Sequence, residues 1–397
     1  MARGDWSDSF LDDMSRQGDP PADGAVRAIF EEGDVDAVNR LLGALLSGRL
    51  GNGAPAPAPL VRYLEETSSL PPWTDPRKIA IAEQLAVDYG FLSAGVLYTA
   101  GLPTCYASRG IAAVLAATLR LEQRELIFRR LIETGQFVFN VSDRGGMRAN
   151  GVGVRTTQQV RLMHAAIRHL IVTPPATTDG VDGPTLGRSL LAMQWDPALG
   201  VPVNQQELAW TLLTFSFNVL RALEQLGGLL TDEQKDAYIH LWSVVGHVLG
   251  IDTRLLCMDF AEAQVLFDRL APRVTADTTA GRTLVAALVN FAEPVLLPSL
   301  TWALIRYHVG DHLATLVGAR ADGAGRLLQT AAVVGTRFIV ERTTFLYRES
   351  YVIKRLAEYA TRRLIAHIVS LSRAHGRAPF QLPTHLAAQL GTPTVAR

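Results

Sequence analysis

The chain has 397 residues, of which 48% are apolar and 19% charged, so it has ample apolar material for a large buried core. Lys and Arg number 38 and Asp and Glu 38. That balance argues against a general electrostatic attraction to nucleic acid or an anionic membrane, and no stripe interleaves basic residues with aromatics.

Residues 1 to about 24 are polar and rich in Gly, Pro and Asp, and read as an irregular arm. They contain no apolar core of a secretory signal, so a cytoplasmic location is expected. Helical spacing covers 25–46, and G-N-G-A-P-A-P-A-P at 51–59 breaks it. Leu70-Pro71-Pro72-Trp73 cannot be helical, and Thr74 or Asp75 can cap the helix that follows. Residues 79–100 form one long apolar stretch, followed by helices over 110–121 and 124–140. A glycine-rich turn over 143–153 lacks the G-x-G-x-x-G phosphate-loop pattern. A helix over 156–172 ends at Pro174-Pro175.

Further on, Asn204 stands as a helix cap with Glu207 at the capping-box position, opening a helix that ends at Gly227-Gly228. Helices are predicted from Thr231 to Gly250, then over 259–271, 279–292, 298–318, 323–341 and 344–376. Period-two alternation is scarce. The expectation is an all-α fold: one large helical domain over 70–380, with 1–69 packed on it as arm, helix and linker, and 381–397 as a tail. No run of 18 apolar residues occurs, so no membrane span is expected. Cys105 and Cys257 are far apart, with neither C-x-x-C nor C-x-x-C-H, and read as small core hydrophobes.

Candidate chemistry centres on V-R-L-M-H-A-A-I-R-H-L-I at 160–171. Leu162, Met163, Ala166, Ile167 and Leu170 form an apolar stripe, and Arg161, His164 and Arg168 project from one side. The pattern suits an anionic, largely apolar ligand wanting one nitrogen donor, as haem does, with Arg161 and Arg168 serving propionates or the ligand helix. It equally suits a core-edge histidine between two solvated arginines. Arg130, Glu133 and Thr134 share another helical face. They read either as a surface ion pair or as a carboxylate oriented by Arg130 for acid–base work. His308 and His312, four apart beside Asp311, could hold zinc with a third ligand; His240 and His247 lie about 10.5 Å apart along one helix and cannot share an ion. No G-x-S-x-G is present.

Five ordered pieces resemble the MpaB-like oxygenases, a family that includes the latex clearing proteins. They are L-P-P-W, R-L-I-E-T, V-R-L-M-H-A-A-I-R, G-V-P-V-N-Q-Q-E-L with T-L-L-T-F-S, and L-W-S-V-V-G-H-V-L-G-I. The resemblance runs from about Leu70 to His247. It implies a globin-like helical core, a non-covalent haem b, and cleavage of apolar carbon–carbon double bonds with dioxygen. The family's R-x-x-H-x-x-x-R proximal pattern falls on Arg161, His164 and Arg168, making His164 the iron ligand. Its distal R-x-x-K-T falls on Arg130, Glu133 and Thr134, with Glu133 replacing the lysine. The expectation is therefore a haem-dependent oxygenase acting on a hydrophobic, unsaturated small molecule, as monomer or homodimer. A non-oxygenating haem or apolar-ligand protein, or a redox-neutral haem enzyme, stands as the alternative.

Overall fold

Short polar side chains and prolines set most of the helix starts. The computed structural model describes residues 6–32, 57–118, 124–173, 194–293, 296–319 and 334–335. The side chain of Ser7 accepts from the Phe10 amide and opens α1 (Asp8–Ser15). Prolines open α2 (Pro20–Glu32) and precede α3 (Ala58–Glu66). Asp75 accepts from the amides of Arg77 and Lys78 at the start of α4 (Pro76–Asp88). Then come α5 (Gly90–Val96), a π-helical turn over Leu97–Gly101, α6 (Leu102–Tyr106) and α7 (Arg109–Thr118). The pair α8 (Arg124–Ser142) and α9 (Val152–Val172) follows. Asn204 caps α10 (Gln205–Phe215), which breaks at Ser216 into α11 (Phe217–Gln225). A Thr231–Gln234 capping box opens α12 (Asp232–Val248), and Asp259 and Thr278 cap α13 (Phe260–Val274) and α14 (Thr279–Ala292). Last is α15 (Pro298–Leu316), kinked where Gly310 takes φ 81°.

The described residues contain no strand, only an isolated bridge between Ser108 and Thr275. The fold is all-α, as expected. Helices predicted over 323–341 and 344–376, the end of the helix over 25–46, and most of the loop before Trp195 lie outside the described residues.

Three expectations are corrected, the first being the helix opened by Asn204, which breaks at Ser216 rather than running unbroken to Gly227. The arm at 6–24 is ordered structure: Trp6, Phe10, Leu11 and Met14 are buried in the main core, with Leu11 fully enclosed. Phe10, Leu11 and Met14 share one helical face, a short signal outweighed by the surrounding Asp, Gly and Pro. The stretch at 79–100 is two helices rather than one, bent by 85° between Pro76–Asp88 and Leu92–Tyr106. The break falls at Tyr89, whose φ −112° and ψ 11° end α4 before Gly90 opens α5; the π turn and Pro103, which has no amide hydrogen, lie further on. Among the described residues no single helix is long and apolar enough to cross a membrane.

Three apolar clusters hold the helices. The largest joins α1, α4 and α10 to α13 around Trp210 and Trp242, and Trp210 stacks on Phe267 with ring centroids 4.7 Å apart. Truncating such a buried indole costs roughly 3–5 kcal/mol. A second packs α2 and α3 onto Leu162, Ala165, Ala166 and Leu170 of α9. The third joins α6 and α7 to α14 and α15. Cys105 and Cys257 are buried free thiols.

Candidate active site

The α8–α9 hairpin carries the sequence's main candidates. Its turn needs glycine: a Cβ on Gly146 would overlap the Asn140 carbonyl. The glycines at 143–153 therefore serve close backbone approach, with Gly145 donating to buried Glu83 at 2.8 Å. Above the turn, Asn140 Nδ2 on α8 donates to Thr156 Oγ1 on α9 at 2.9 Å. Glu133 lies seven residues before Asn140, and His164 eight residues after Thr156. At 1.5 Å per residue both sit about 10–12 Å from that crosslink, at nearly the same height on facing helices.

Glu133 and Thr134 are half-buried, while the Arg130 side chain lies outside the described residues. His164 is half-buried, and its Nδ1 is fully enclosed. His169 projects from another face, its ring 4.7 Å from that of Phe30 on α2.

The two arginines are placed differently from a solvated pair. Arg161 makes a two-pronged ion pair with Asp19, Nε to Oδ2 at 2.6 Å and Nη2 to Oδ1 at 2.7 Å, and donates to the Val248 carbonyl at 3.2 Å. Arg168 pairs with Asp23 and donates to the carbonyls of Pro202 at 3.0 Å and Val203 at 2.8 Å. Both guanidinium groups are buried and their charges are met within the protein. They brace the helix that carries His164, tying it to α2 and the residue before it, to the loop before α10 and to the end of α12. Binding a propionate would require these pairs to open. Sequence reasoning missed Asp19 and Asp23 because nothing in local spacing pairs residues some 140 positions apart.

Nearby, the L-P-P-W segment docks against α12. Trp73 sits edge-on to both His240 and His247, with centroids 5.6 and 6.1 Å away. His240 Nε2 accepts from the Asp75 amide at 2.9 Å, so this imidazole is neutral at that nitrogen. Burial lowers the pKa of both histidines, and the Arg161 charge adds to the effect at His247. The zinc option fails. His308 is buried with Nδ1 3.1 Å from Gln225 Oε1, His312 is exposed beyond the Gly310 kink, and Asp311 pairs with Arg306. Among the described residues no three potential ligands converge.

For haem, the donor set offers one imidazole, His164, with Nδ1 enclosed, on a helix braced by two buried ion pairs. It offers no thiolate or thioether link, consistent with a non-covalently held group.

An all-helical fold with a half-buried imidazole on a braced helix, at nearly the height of a carboxylate on the neighbouring helix, defines a class rather than a reaction. The structure aligns with one titled latex clearing protein LCP in the closed state, with TM-score 0.65 and 21% identity, covering 89% of this chain and 91% of the other. The rubber oxygenase of Streptomyces sp. strain K30 is 24% identical over 319 residues, 79% of this chain and 74% of the relative. Residues 85–338 match the family described as ER-bound oxygenase mpaB/B'/rubber oxygenase, catalytic domain. The chain belongs to this family, and it is an oxygenase.

Proposed function

We propose that the chain is a haem-b oxygenase acting with dioxygen on an apolar small molecule bearing a carbon–carbon double bond. His164 is the iron ligand and Glu133 the acid–base group on the opposite wall. The observation that carries this reading is the half-buried His164 imidazole on a helix braced by two buried ion pairs, at nearly the height of Glu133 on the neighbouring helix. The substrate class rests on likeness to the rubber oxygenase.

Haem, when bound, supplies the redox chemistry with dioxygen. The chain's own residues position and protect. Ion pairs Arg161–Asp19 and Arg168–Asp23 fix the helix and so the direction of the imidazole. Leu162, Ala166 and Leu170 of α9 pack on α2 and α3 and so anchor the ligand helix. Glu133 takes up and returns a proton at its carboxyl group, with Arg130 orienting it and Thr134 offering a hydroxyl.

The absorption spectrum of the purified protein, oxidised and then reduced, tests this. A Soret band is expected, and His164→Ala should abolish or strongly shift it. A colourless, iron-free protein that takes up no added haem would end the proposal. Glu133 in the family's lysine position also favours a second reading, a haem protein doing redox-neutral proton-transfer chemistry or simple binding. Oxygen uptake with candidate alkenes separates the two.

A further inference from the structure

We propose that Glu207 keeps its carboxyl proton in the folded protein, and that this proton latches the loop 199–205 that fastens the α1–α2 segment and helix α9 to the core.

The latch is built from both ends of that loop. On its inner side, Asn204 Oδ1 accepts from the Glu207 amide at 3.0 Å, and the Glu207 carboxyl group lies close enough to the backbone of Val203 and Asn204 to feel it. Oε2 is fully buried with no hydrogen-bond partner. The carboxyl lies against Gly110 of α7, where any Cβ would overlap it. Val203 makes this geometry only at φ 52°, a conformation a β-branched residue adopts under constraint. On its outer side, the carbonyls of Pro202 and Val203 hold Arg168 of α9. Val201 and Gln205 donate their amides to the carbonyls of Ser15 and Gln17, and the Gln205 side chain bridges Gly18 and Gly250. One carboxyl group thus sits under the junction of three parts of the fold.

An ionised carboxylate there would leave Oε2 charged, dry and unpaired. Burial accordingly raises the Glu207 pKa to about 8 despite the backbone of Val203 and Asn204. Among the described residues, the cations of the elements around it are engaged elsewhere. Arg109 of α7 is turned to Asp196, and Arg161 and Arg168 of α9 to Asp19 and Asp23. Arg273 of α13 pairs with Asp8 and Asp12 of α1, and Arg221 of α11 feels Asp268 of α13. Glu262 of α13 accepts from the Met258 amide, and His247 of α12 lies near Arg161. Cys105 of α6 feels the Glu207 charge, but burial pushes this thiol up to about 12, so it stays neutral. Loss of the proton therefore drives the carboxylate toward water, and the strained loop opens with it.

Amide hydrogen exchange on the full chain, without added haem, tests the latch independently of the haem reading. After correction for intrinsic base catalysis, the 199–206 amides should lose protection about tenfold per pH unit as pH rises from about 4.5 toward about 8, and then level off. The second half of α9 should follow. Glu207→Gln keeps the shape and removes the titration, so its protection should stay flat. A flat wild-type profile, or a Glu207→Gln profile as steep as the wild type, overturns the proposal. Should Glu207→Gln fail to fold, the infrared carboxyl band of the wild type decides: a protonated carboxyl persisting at neutral pH and vanishing near pH 8 supports the latch, and its absence overturns it.

Discussion

Replacing Asp19 by Ala is the sharpest test of how the His164 helix is held. Side-chain exposure is 4% for Asp19 and 9% for Arg161, and the pair is joined by two bonds of 2.6 and 2.7 Å. Removing the carboxylate leaves a buried guanidinium with only the Val248 carbonyl and the face of Tyr63, 5.9 Å from the ring centroid. Breaking one partner of such a pair costs about 3–5 kcal/mol, mostly the desolvation of the orphaned charge. A chain of this length has an unfolding entropy of about 0.8 kcal/mol/K, so the midpoint should fall by roughly 4–6 °C. Thermal and urea unfolding measure this directly. The double variant Asp19→Leu with Arg161→Met, which removes both charges, should recover most of the loss. A single-variant cost below about 1 kcal/mol would refute the reasoning, since that is the range of exposed pairs. So would additive losses in the double variant.

Glu133→Gln should leave the Soret band in place and lower turnover by about 10²–10⁴-fold, the usual range for an acid–base group; unchanged turnover in a haem-loaded variant would remove Glu133 from the mechanism. His308 is held near pKa 4 by burial and by Arg221. Its neutral form is favoured in the folded state, so the stability it confers is present above about pH 6.5 and is lost as pH falls toward 4, by roughly 3 kcal/mol in all. Urea titrations across that range should show the slope in the wild type and lose it in His308→Gln.

Much of the local architecture was legible. Asn204, Thr231 and Asp75 open helices because their side chains can satisfy amides that a helix start leaves free, and this depends only on neighbours. The placement of His164 apart from His169 followed from helical periodicity alone, and Phe30 now occupies the second face. The buried α1 was hidden by its length. Eight residues give too few repeats for periodicity to outweigh their Asp and Ser, and their helix is stabilised by a core drawn from distant segments.

By itself the sequence determined the all-helical character and the helix starts, and put Arg161, His164 and Arg168 on one side of a helix, because each depends on spacing within a few turns. Tertiary structure alone decided that Arg161 and Arg168 are buried braces, and that Glu207 lies dry beneath the loop that holds one of them. The physical reason is that charge state and solvation depend on what packs against a side chain. For Arg161 that is Asp19, 142 residues away, and for Glu207 it is the bare backbone of Gly110.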